Sequence, residues 1–274
     1  MKPLFIVLGA TGGIGRAVVR AALAAGYPVA AVARQEDGLD SLRTEHGQSQ
    51  VILVPGSVAT DAQAHALAEY LRALDRPIAG IVASVCGKAG TCRGRVLDHP
   101  TSLLQGKLED DLLPHLAAAR HLLPLLVEAG RGGYLMVGGP GSQQPWAGYG
   151  HRSIAAAALR MLAMVLHDEA RALSVRVQLL TVDLPVATEH NQAHAGSQWP
   201  RAQTIAEHAV ALVTRSHADE AVVHYPRQSP SISTSSFGPA SEEPPADARC
   251  QSLADIRALL GRFSLAGSNK DQPS

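Results

Sequence analysis

The chain of 274 residues contains only three cysteines, Cys86, Cys92 and Cys250. An odd and sparse set of thiols is unlike the paired cysteine framework of a small secreted protein. The spacing of Cys86 and Cys92 matches no zinc-binding pattern, so we expect ordinary reduced thiols. The sequence therefore predicts neither a disulfide-stabilised fold nor a metal site.

The chain also lacks an excess of charge and lacks long apolar runs. Its 24 lysines and arginines balance 24 aspartates and glutamates, which excludes the strong field used to attract nucleic acid or anionic lipid. The first apolar run, LFIVL at 4–8, ends at a glycine, and no later run approaches the roughly 18 residues of a membrane helix. We therefore expect a cytoplasmic protein with no nucleic-acid or membrane partner.

What the chain does contain is a regular alternation of short β-branched runs with longer helical patterns, at 46% apolar residues. Buried strands are predicted at 4–8, 28–33, 51–54, 78–84, 134–137 and 175–182, with a last strand at 221–225. Apolar periodicity predicts helices near 14–25, 61–74, 110–129 and 152–173. Strands separated by helices form parallel βαβ units. The prediction is an α/β fold, a Rossmann-type doubly wound parallel sheet, as a single domain over residues 1–225.

Residues 226–264 have a different composition. The stretch 226–250 is rich in serine and proline and poor in apolar residues, so it cannot bury enough surface to offset its ordering entropy. We expect a flexible linker there. After it, apolar residues repeat on one face of an amphipathic helix at 251–264. This helix is expected to dock on its own domain or on a partner subunit.

A glycine-rich turn, GATGGIG at 9–15, directly follows the first predicted strand and opens a helix. Glycine suits this position because the backbone turns tightly, approaches a pyrophosphate closely and lets the helix pack on the strand. The free N–H groups at the helix start then face the phosphates. The cofactor-binding residues predicted in this turn are Gly9, Thr11, Gly12, Gly13, Ile14 and Gly15.

The residue at the end of the second predicted strand selects the cofactor. An acidic side chain there would bind the ribose 2′-hydroxyl of NAD, but the chain has Arg34. An arginine favours the 2′-phosphate of NADP(H). NADP(H) is therefore the predicted cofactor.

Four motifs together resemble the short-chain dehydrogenase/reductase family over about residues 1–225. They are the glycine-rich turn, the strand ending GYLMVGG, the tyrosine at the start of the long helix and the segment VRVQLLTVDLPVAT. The resemblance implies cofactor contacts from Ser57, after the third strand, and from Ser84 and Gly87, after the fourth. It also implies a homodimer or homotetramer that pairs through the helices at 110–129 and 152–173.

The catalytic positions of the family are mostly changed in this chain. Active members use an asparagine, a serine, a tyrosine and a lysine, and Tyr149 falls on the tyrosine. Ser153 stands in place of the lysine, and Asp111 stands in place of the asparagine. The serine position falls near Gly138 or Gly139, so Ser142 on the following loop is a candidate replacement. Without the lysine, the phenol of Tyr149 loses the charge that favours its ionised form, because Arg152, one residue earlier than Ser153, is expected to point about 100° away around the helix.

Two functions are consistent with this pattern. In the first, the protein is an NADP(H)-dependent oxidoreductase that reduces a ketone or imine, or oxidises an alcohol, with Tyr149 as proton donor or acceptor. Its substrate is expected to be small and hydrophobic. In the second, the protein binds NADP without redox chemistry, as a sensor, a scaffold or a redox-neutral enzyme such as a dehydratase or cyclase.

Overall fold

The computed structural model describes residues 2–46, 50–87, 93–215 and 220–225. These residues belong to one compact unit, Met1–Gln228. The predicted linker at 226–250 and the predicted helix at 251–264 lie outside the described residues, as do Cys92 and Cys250. Both features remain predictions.

Seven parallel strands form one sheet in the described part of the chain, in the order β3-β2-β1-β4-β5-β6-β7. The strands are β1 (Leu4–Leu8), β2 (Val29–Ala33), β3 (Val51–Pro55), β4 (Ile78–Ala83), β5 (Gly133–Gly138), β6 (Arg176–Thr181) and β7 (Val222–His224). The predicted doubly wound parallel sheet is confirmed.

Helices cover both faces of this sheet. They are α1 (Gly13–Ala24), α2 (Glu36–His46), α3 (Asp61–Ala73), α4 (Thr101–Asp111), α5 (Leu113–Glu128), α6 (Gly150–Arg171) and α7 (Ala202–Thr214). Apolar residues of α1, α2 and α7 share one buried cluster, and those of α3, α5 and α6 share another. The sheet therefore separates two hydrophobic cores. No helix in the described ranges combines the length and the apolar character needed to cross a membrane.

The alternation of side chains along β1 explains how one strand serves both cores. Leu4, Ile6 and Leu8 enter the core beneath α3, α5 and α6, whereas Phe5 and Val7 enter the core beneath α1, α2 and α7. Successive side chains of a strand point to opposite faces of a sheet. All five residues are almost completely buried, which accounts for the unbroken apolar run in the sequence.

The strand order places a crevice between β1 and β4. The chain moves outward from β1 through β2 to β3 and then returns to the other side of β1 at β4. The carboxyl ends coincide, because Leu8 pairs with Val32 on one side and with Ala83 on the other. Ligands of open parallel sheets bind where the strand order reverses in this way, at the carboxyl ends of the strands.

The helix predicted at 110–129 is in fact the end of α4 followed by α5. Leu112 interrupts the regular helix with φ −111° and ψ −56°, and Pro114 lies in the first turn of α5. Proline has no N–H group and cannot continue the ladder of α4, but it is tolerated in the first turn of a new helix. α2, α7 and most of α4 were not predicted.

Candidate functional site

The glycine-rich turn joins β1 to α1 by a close backbone contact. Gly9 has φ +75°, and a side chain at Gly15 would place its Cβ only 2.0 Å from the Gly9 carbonyl oxygen. The Gly12 amide donates to that same oxygen at 3.0 Å. No acidic side chain lies in the first turn of α1, so its free N–H groups form a site suited to an anion.

Two adjoining cavities lie above the carboxyl ends of the strands. The first, here named the glycine-turn cavity, has a volume of about 500 Å³ and extends from Gly9 to Arg34. The second, here named the α6 cavity, has a volume of about 310 Å³ and lies between α6 and the segment after β6. Ser84, Val85 and Cys86, which follow β4, line both cavities. The two cavities therefore adjoin across this shared wall, and together they are called the groove below.

Most of the predicted cofactor residues line this groove. The glycine-turn cavity is lined by Gly9, Thr11, Gly12, Arg34, Ser57, Ser84 and Gly87, and the α6 cavity is lined by Ile14 and again by Ser84. Gly13 and Gly15 lie behind the groove. A Cβ at Gly13 would lie 2.5 Å from the Thr188 side chain, so the segment after β6 packs closely on the start of α1.

Arg34 is exposed at one end of the glycine-turn cavity. It makes no ion pair with any described residue. Arg16, the other arginine near the turn, lies 3.5 Å from Glu45 and hydrogen-bonds to the Gly38 carbonyl oxygen. Arg34 is therefore the arginine available to an anionic group in this cavity.

The face of α6 that lines the α6 cavity carries Arg152, Ala155, Ala156 and Leu159. Tyr149, one residue before α6, is not among the lining residues. Its ring stacks on the indole of Trp146 with 4.4 Å between ring centroids, and Trp146 itself lines the cavity. The predicted tyrosine therefore packs on a residue of the cavity wall but is not part of the lining itself.

The two serines predicted at catalytic positions, Ser142 and Ser153, are buried, and both have hydrogen-bond partners. Ser153 Oγ accepts from the Trp146 amide at 2.9 Å and donates to the Tyr149 carbonyl oxygen at 3.3 Å. Ser142 Oγ lies 3.5 Å from Thr181 Oγ1 at the end of β6. Neither serine is among the residues that line the α6 cavity. Ser153 instead fixes the loop that carries Trp146 and Tyr149.

Asp111, at the end of α4, lines the α6 cavity. Its carboxylate pairs with Lys107 at 2.7 Å and accepts a hydrogen bond from the Gly87 amide at 3.0 Å. Asp111 therefore ties α4 to the segment that separates the two cavities. Cys86 in this segment opens to solvent, but desolvation by the surrounding atoms, together with the nearby Asp111 charge, raises the pKa of its thiol.

His115 supports the same segment from below. Its ring is completely buried, and Nε2 donates to the Val85 carbonyl oxygen at 2.9 Å, while Nδ1 has no partner. Burial lowers the pKa of His115 from 6.5 to about 4, so the ring is neutral near pH 7. The sequence gives no signal for His115, because its position on the buried face of α5 follows only from the packing.

No three His, Cys, Asp or Glu side chains of the described residues are close enough to hold a metal ion. His190 and His194 are both exposed on the segment after β6, and neither lines the two cavities.

A parallel sheet, a glycine-rich turn at the switch point and a two-part groove define a dinucleotide-binding α/β protein. The family described as short chain dehydrogenase matches residues 4–197. The chain therefore belongs to the short-chain dehydrogenase family, whose members use nicotinamide cofactors. No curated protein sequence matches the chain.

Several solved structures share this fold. A short-chain dehydrogenase from Streptomyces avermitilis is 20% identical, with a TM-score of 0.70 and coverage of 99% of this chain and 100% of that one. The L-sorbose reductase from Gluconobacter frateurii, complexed with NADPH and L-sorbose, is 20% identical, with a TM-score of 0.69 and coverage of 82% and 94%. A serine dehydrogenase complexed with NADP⁺ is 18% identical, with a TM-score of 0.71 and coverage of 88% and 100%. At these identities the likeness shows the fold alone.

Proposed function

We propose that the protein is an NADP(H)-dependent oxidoreductase that reduces a ketone to an alcohol or an imine to an amine, or catalyses the reverse reaction, on a small substrate. The observation that carries the proposal is the pair of adjoining cavities, one lined by the exposed Arg34 and the other lined mainly by apolar residues. A dinucleotide needs such a groove because its phosphates and its reactive ring lie at opposite ends of an extended molecule.

The residues of the groove fit this cofactor. The N–H groups at the start of α1 would hold the pyrophosphate, and the guanidinium of Arg34 would pair with the 2′-phosphate. Ser84 and Gly87 would contact the ribose that leads into the α6 cavity. NADPH supplies a hydride when bound. The apolar lining of the α6 cavity would keep water away from the reacting atoms.

In this proposal Tyr149 moves the proton. The phenol would donate it to the substrate oxygen in the reductive direction and accept it in the oxidative direction. Because Tyr149 does not itself line the α6 cavity, its hydroxyl must move toward the cavity to reach a molecule bound there. Ser153 would hold the backbone of this loop, and Asp111 would hold Gly87 near the cofactor.

One observation favours a second function, the binding of NADP(H) without redox chemistry. Tyr149 lies outside the lining of the α6 cavity, and Ser153 is engaged in hydrogen bonds with the backbone. A protein with this site could bind the nucleotide tightly and yet lack a proton donor. It would then act as a sensor, a scaffold or a redox-neutral enzyme.

The deciding experiment has two stages. Titration with NADPH and NADH, followed by protein fluorescence or calorimetry, tests nucleotide binding. A panel of ketones, imines and alcohols is then monitored by the absorbance of NADPH. Binding with turnover supports the oxidoreductase, binding without turnover of any panel member supports the second function, and no binding contradicts both.

We also infer a homo-oligomer formed through α5 and α6. Large apolar side chains are exposed on both helices: Leu113 and Leu116 on α5, and Ile154, Met161 and Val165 on α6. Residues 154, 161 and 165 share one helical face by their spacing of seven and four. Such a stripe is costly in water and suited to a two-fold symmetric contact.

A further inference from the structure

Arg152 is the positively charged side chain that lines the α6 cavity. It lies in the first turn of α6, and Ala156, one turn further on, lines the cavity beside it. Its guanidinium carbon lies 6.0 Å from the centroid of the Trp146 ring. An aromatic face at this distance attracts a cation weakly but does not neutralise it.

The charge of Arg152 is not balanced by the other charged side chain of the cavity. Asp111, the one acidic residue that lines the α6 cavity, already pairs with Lys107 at 2.7 Å. Arg152 makes no ion pair within 4.0 Å with any residue in the described ranges. The cavity therefore holds one uncompensated positive charge among mainly apolar walls, where a charge is costly unless it is paired.

The cofactor does not account for this charge. The elements suited to phosphate, namely the N–H groups of the glycine-rich turn and Arg34, belong to the glycine-turn cavity. Gly9, Thr11, Gly12 and Arg34 do not line the α6 cavity. An anion beside Arg152 would therefore come from the second ligand, the substrate.

We propose that Arg152 binds a carboxylate of the substrate, so that the substrate is a small oxo acid or imino acid, or the hydroxy acid or amino acid that corresponds to it. This inference rests on the proposed function, because it names the substrate class of the same site. The planar guanidinium matches the two oxygens of a carboxylate. The volume of about 310 Å³ and the apolar walls suit a compact hydrocarbon body that carries this one charged group.

The first test uses binding without turnover. Benzoate and benzamide have nearly the same shape, but only benzoate carries a negative charge. We expect the complex of the protein with NADP⁺ to bind benzoate more tightly than benzamide by roughly tenfold to hundredfold, the usual worth of a charged hydrogen bond. Calorimetry or saturation-transfer NMR measures both affinities.

Variants of Arg152 connect this preference to the side chain. Arg152→Gln should abolish the preference for benzoate, and Arg152→Lys should retain part of it, because lysine keeps the charge but loses the planar fork. Arg171→Gln, on the exposed end of the same helix, is the control and should keep the full preference. Thermal unfolding confirms that each variant is folded. Equal affinities in the wild type, or a preference that survives Arg152→Gln, would overturn the proposal.

A second test separates this inference from the proposed function. Levulinate and methyl levulinate carry the same ketone, but only the acid carries a carboxylate. A kcat/KM for levulinate at least tenfold higher than that for methyl levulinate, followed as NADPH oxidation, supports both the oxidoreductase and the carboxylate site. Faster oxidation with the methyl ester overturns the carboxylate site and leaves the oxidoreductase in place. If neither compound reacts, the benzoate preference alone decides for or against the carboxylate site.

Discussion

At the scale of single residues, we expect Arg34 to select NADPH over NADH. Arg34→Gln removes the positive charge expected to meet the 2′-phosphate of NADPH, which NADH lacks. We expect the wild type to bind NADPH roughly tenfold to hundredfold more tightly than NADH, and the variant to lose most of this difference. Parallel titrations with both nucleotides measure it. Arg43→Gln, an exposed arginine of α2 that pairs with Asp40, should leave the ratio unchanged, and equal wild-type affinities would exclude this role for Arg34.

Substitution of Tyr149 tests whether this residue transfers the proton in the proposed oxidoreductase. Tyr149→Phe removes the hydroxyl and keeps the stacking on Trp146. We expect turnover to fall by about 10²–10⁴-fold, the usual contribution of a positioned general acid, while NADPH affinity is nearly unchanged. Steady-state kinetics and nucleotide titration measure the two effects. Tyr27→Phe, which keeps the ring that packs on Phe5, is the matched control. An equally fast Tyr149→Phe enzyme would remove Tyr149 from the mechanism.

The substitution Ser153→Lys would restore the lysine of the family in sequence, but the structure does not favour it as a test of Tyr149. Ser153 is only 7% exposed, and its hydroxyl already bonds to two backbone groups of the preceding loop. A buried ammonium without a partner would destabilise this loop. Four-residue spacing identifies residues that share a helical face but not the surface that this face meets. Arg152, one residue earlier, is on the face that meets the α6 cavity.

At the scale of secondary-structure elements, the turn between β1 and α1 depends on the absence of a side chain at position 15. Gly15→Ala would place a Cβ 2.0 Å from the Gly9 carbonyl oxygen, so the turn must move. We expect the free energy of unfolding to fall by about 1–3 kcal/mol and nucleotide affinity to fall as well, measured by urea unfolding and titration.

Gly106→Ala is the control for this substitution. Gly106 lies inside α4, and no atom lies within 4 Å of a Cβ placed there. Alanine costs less conformational entropy than glycine in a helix, so this variant should gain about 0.5–1 kcal/mol. If the urea midpoint of Gly15→Ala equals that of the wild type, the close contact between positions 9 and 15 does not contribute to stability.

His115 couples the β4–α4 connection to pH. Its pKa is about 4 in the folded protein and 6.5 ordinarily, so between these values the unfolded chain binds a proton that the folded chain does not. The contribution of His115 to the free energy of unfolding is therefore fully present above pH 6.5. It is lost as the pH is lowered toward 4, and the total loss is roughly 3 kcal/mol. Urea unfolding across this range measures the loss.

His115→Gln isolates this contribution from that of the carboxylates. Glutamine keeps an N–H donor for the Val85 carbonyl oxygen but does not titrate. The difference in unfolding free energy between the variant and the wild type should therefore change between pH 7 and pH 4. A constant difference over this range would show that His115 is not the titrating group.

The secondary-structure elements that could be predicted from the sequence are those with a clear local pattern of apolar residues. The strands were found because buried parallel strands are continuous apolar runs, and α1, α3 and α6 were found from their periodicity. α2 was missed because only Leu39 and Leu42 of its eleven residues are buried. The glycine-rich turn could be placed, since its residues are adjacent in sequence. The α6 cavity could not, because it depends on how α6 is rotated against β4, β5 and the segment after β6.

At the scale of the whole molecule, the exposed apolar stripe on α6 predicts self-association. The Met161 side chain is 57% exposed within this stripe. Met161→Glu would place charges at a two-fold contact, so the dimer or tetramer should dissociate to a monomer. Light scattering coupled to size exclusion measures the mass at micromolar concentration. Tyr70→Glu on α3, where the side chain is 47% exposed, should leave the mass unchanged, and a monomeric wild type would contradict the interface.

The sheet that divides the interior into two cores also divides the energetic consequences of mutation. Leu122 on α5 and Ile205 on α7 lie in different cores, on opposite faces of the sheet. The destabilisation caused by truncating both should therefore equal the sum of the separate effects, whereas two truncations within one core share a cavity and interact. A substitution in one core layer, meaning one hydrophobic core with its helices, then leaves unchanged the cost of substitutions in the other layer. Over evolutionary time, the two layers can change their side chains independently while the sheet between them keeps its register.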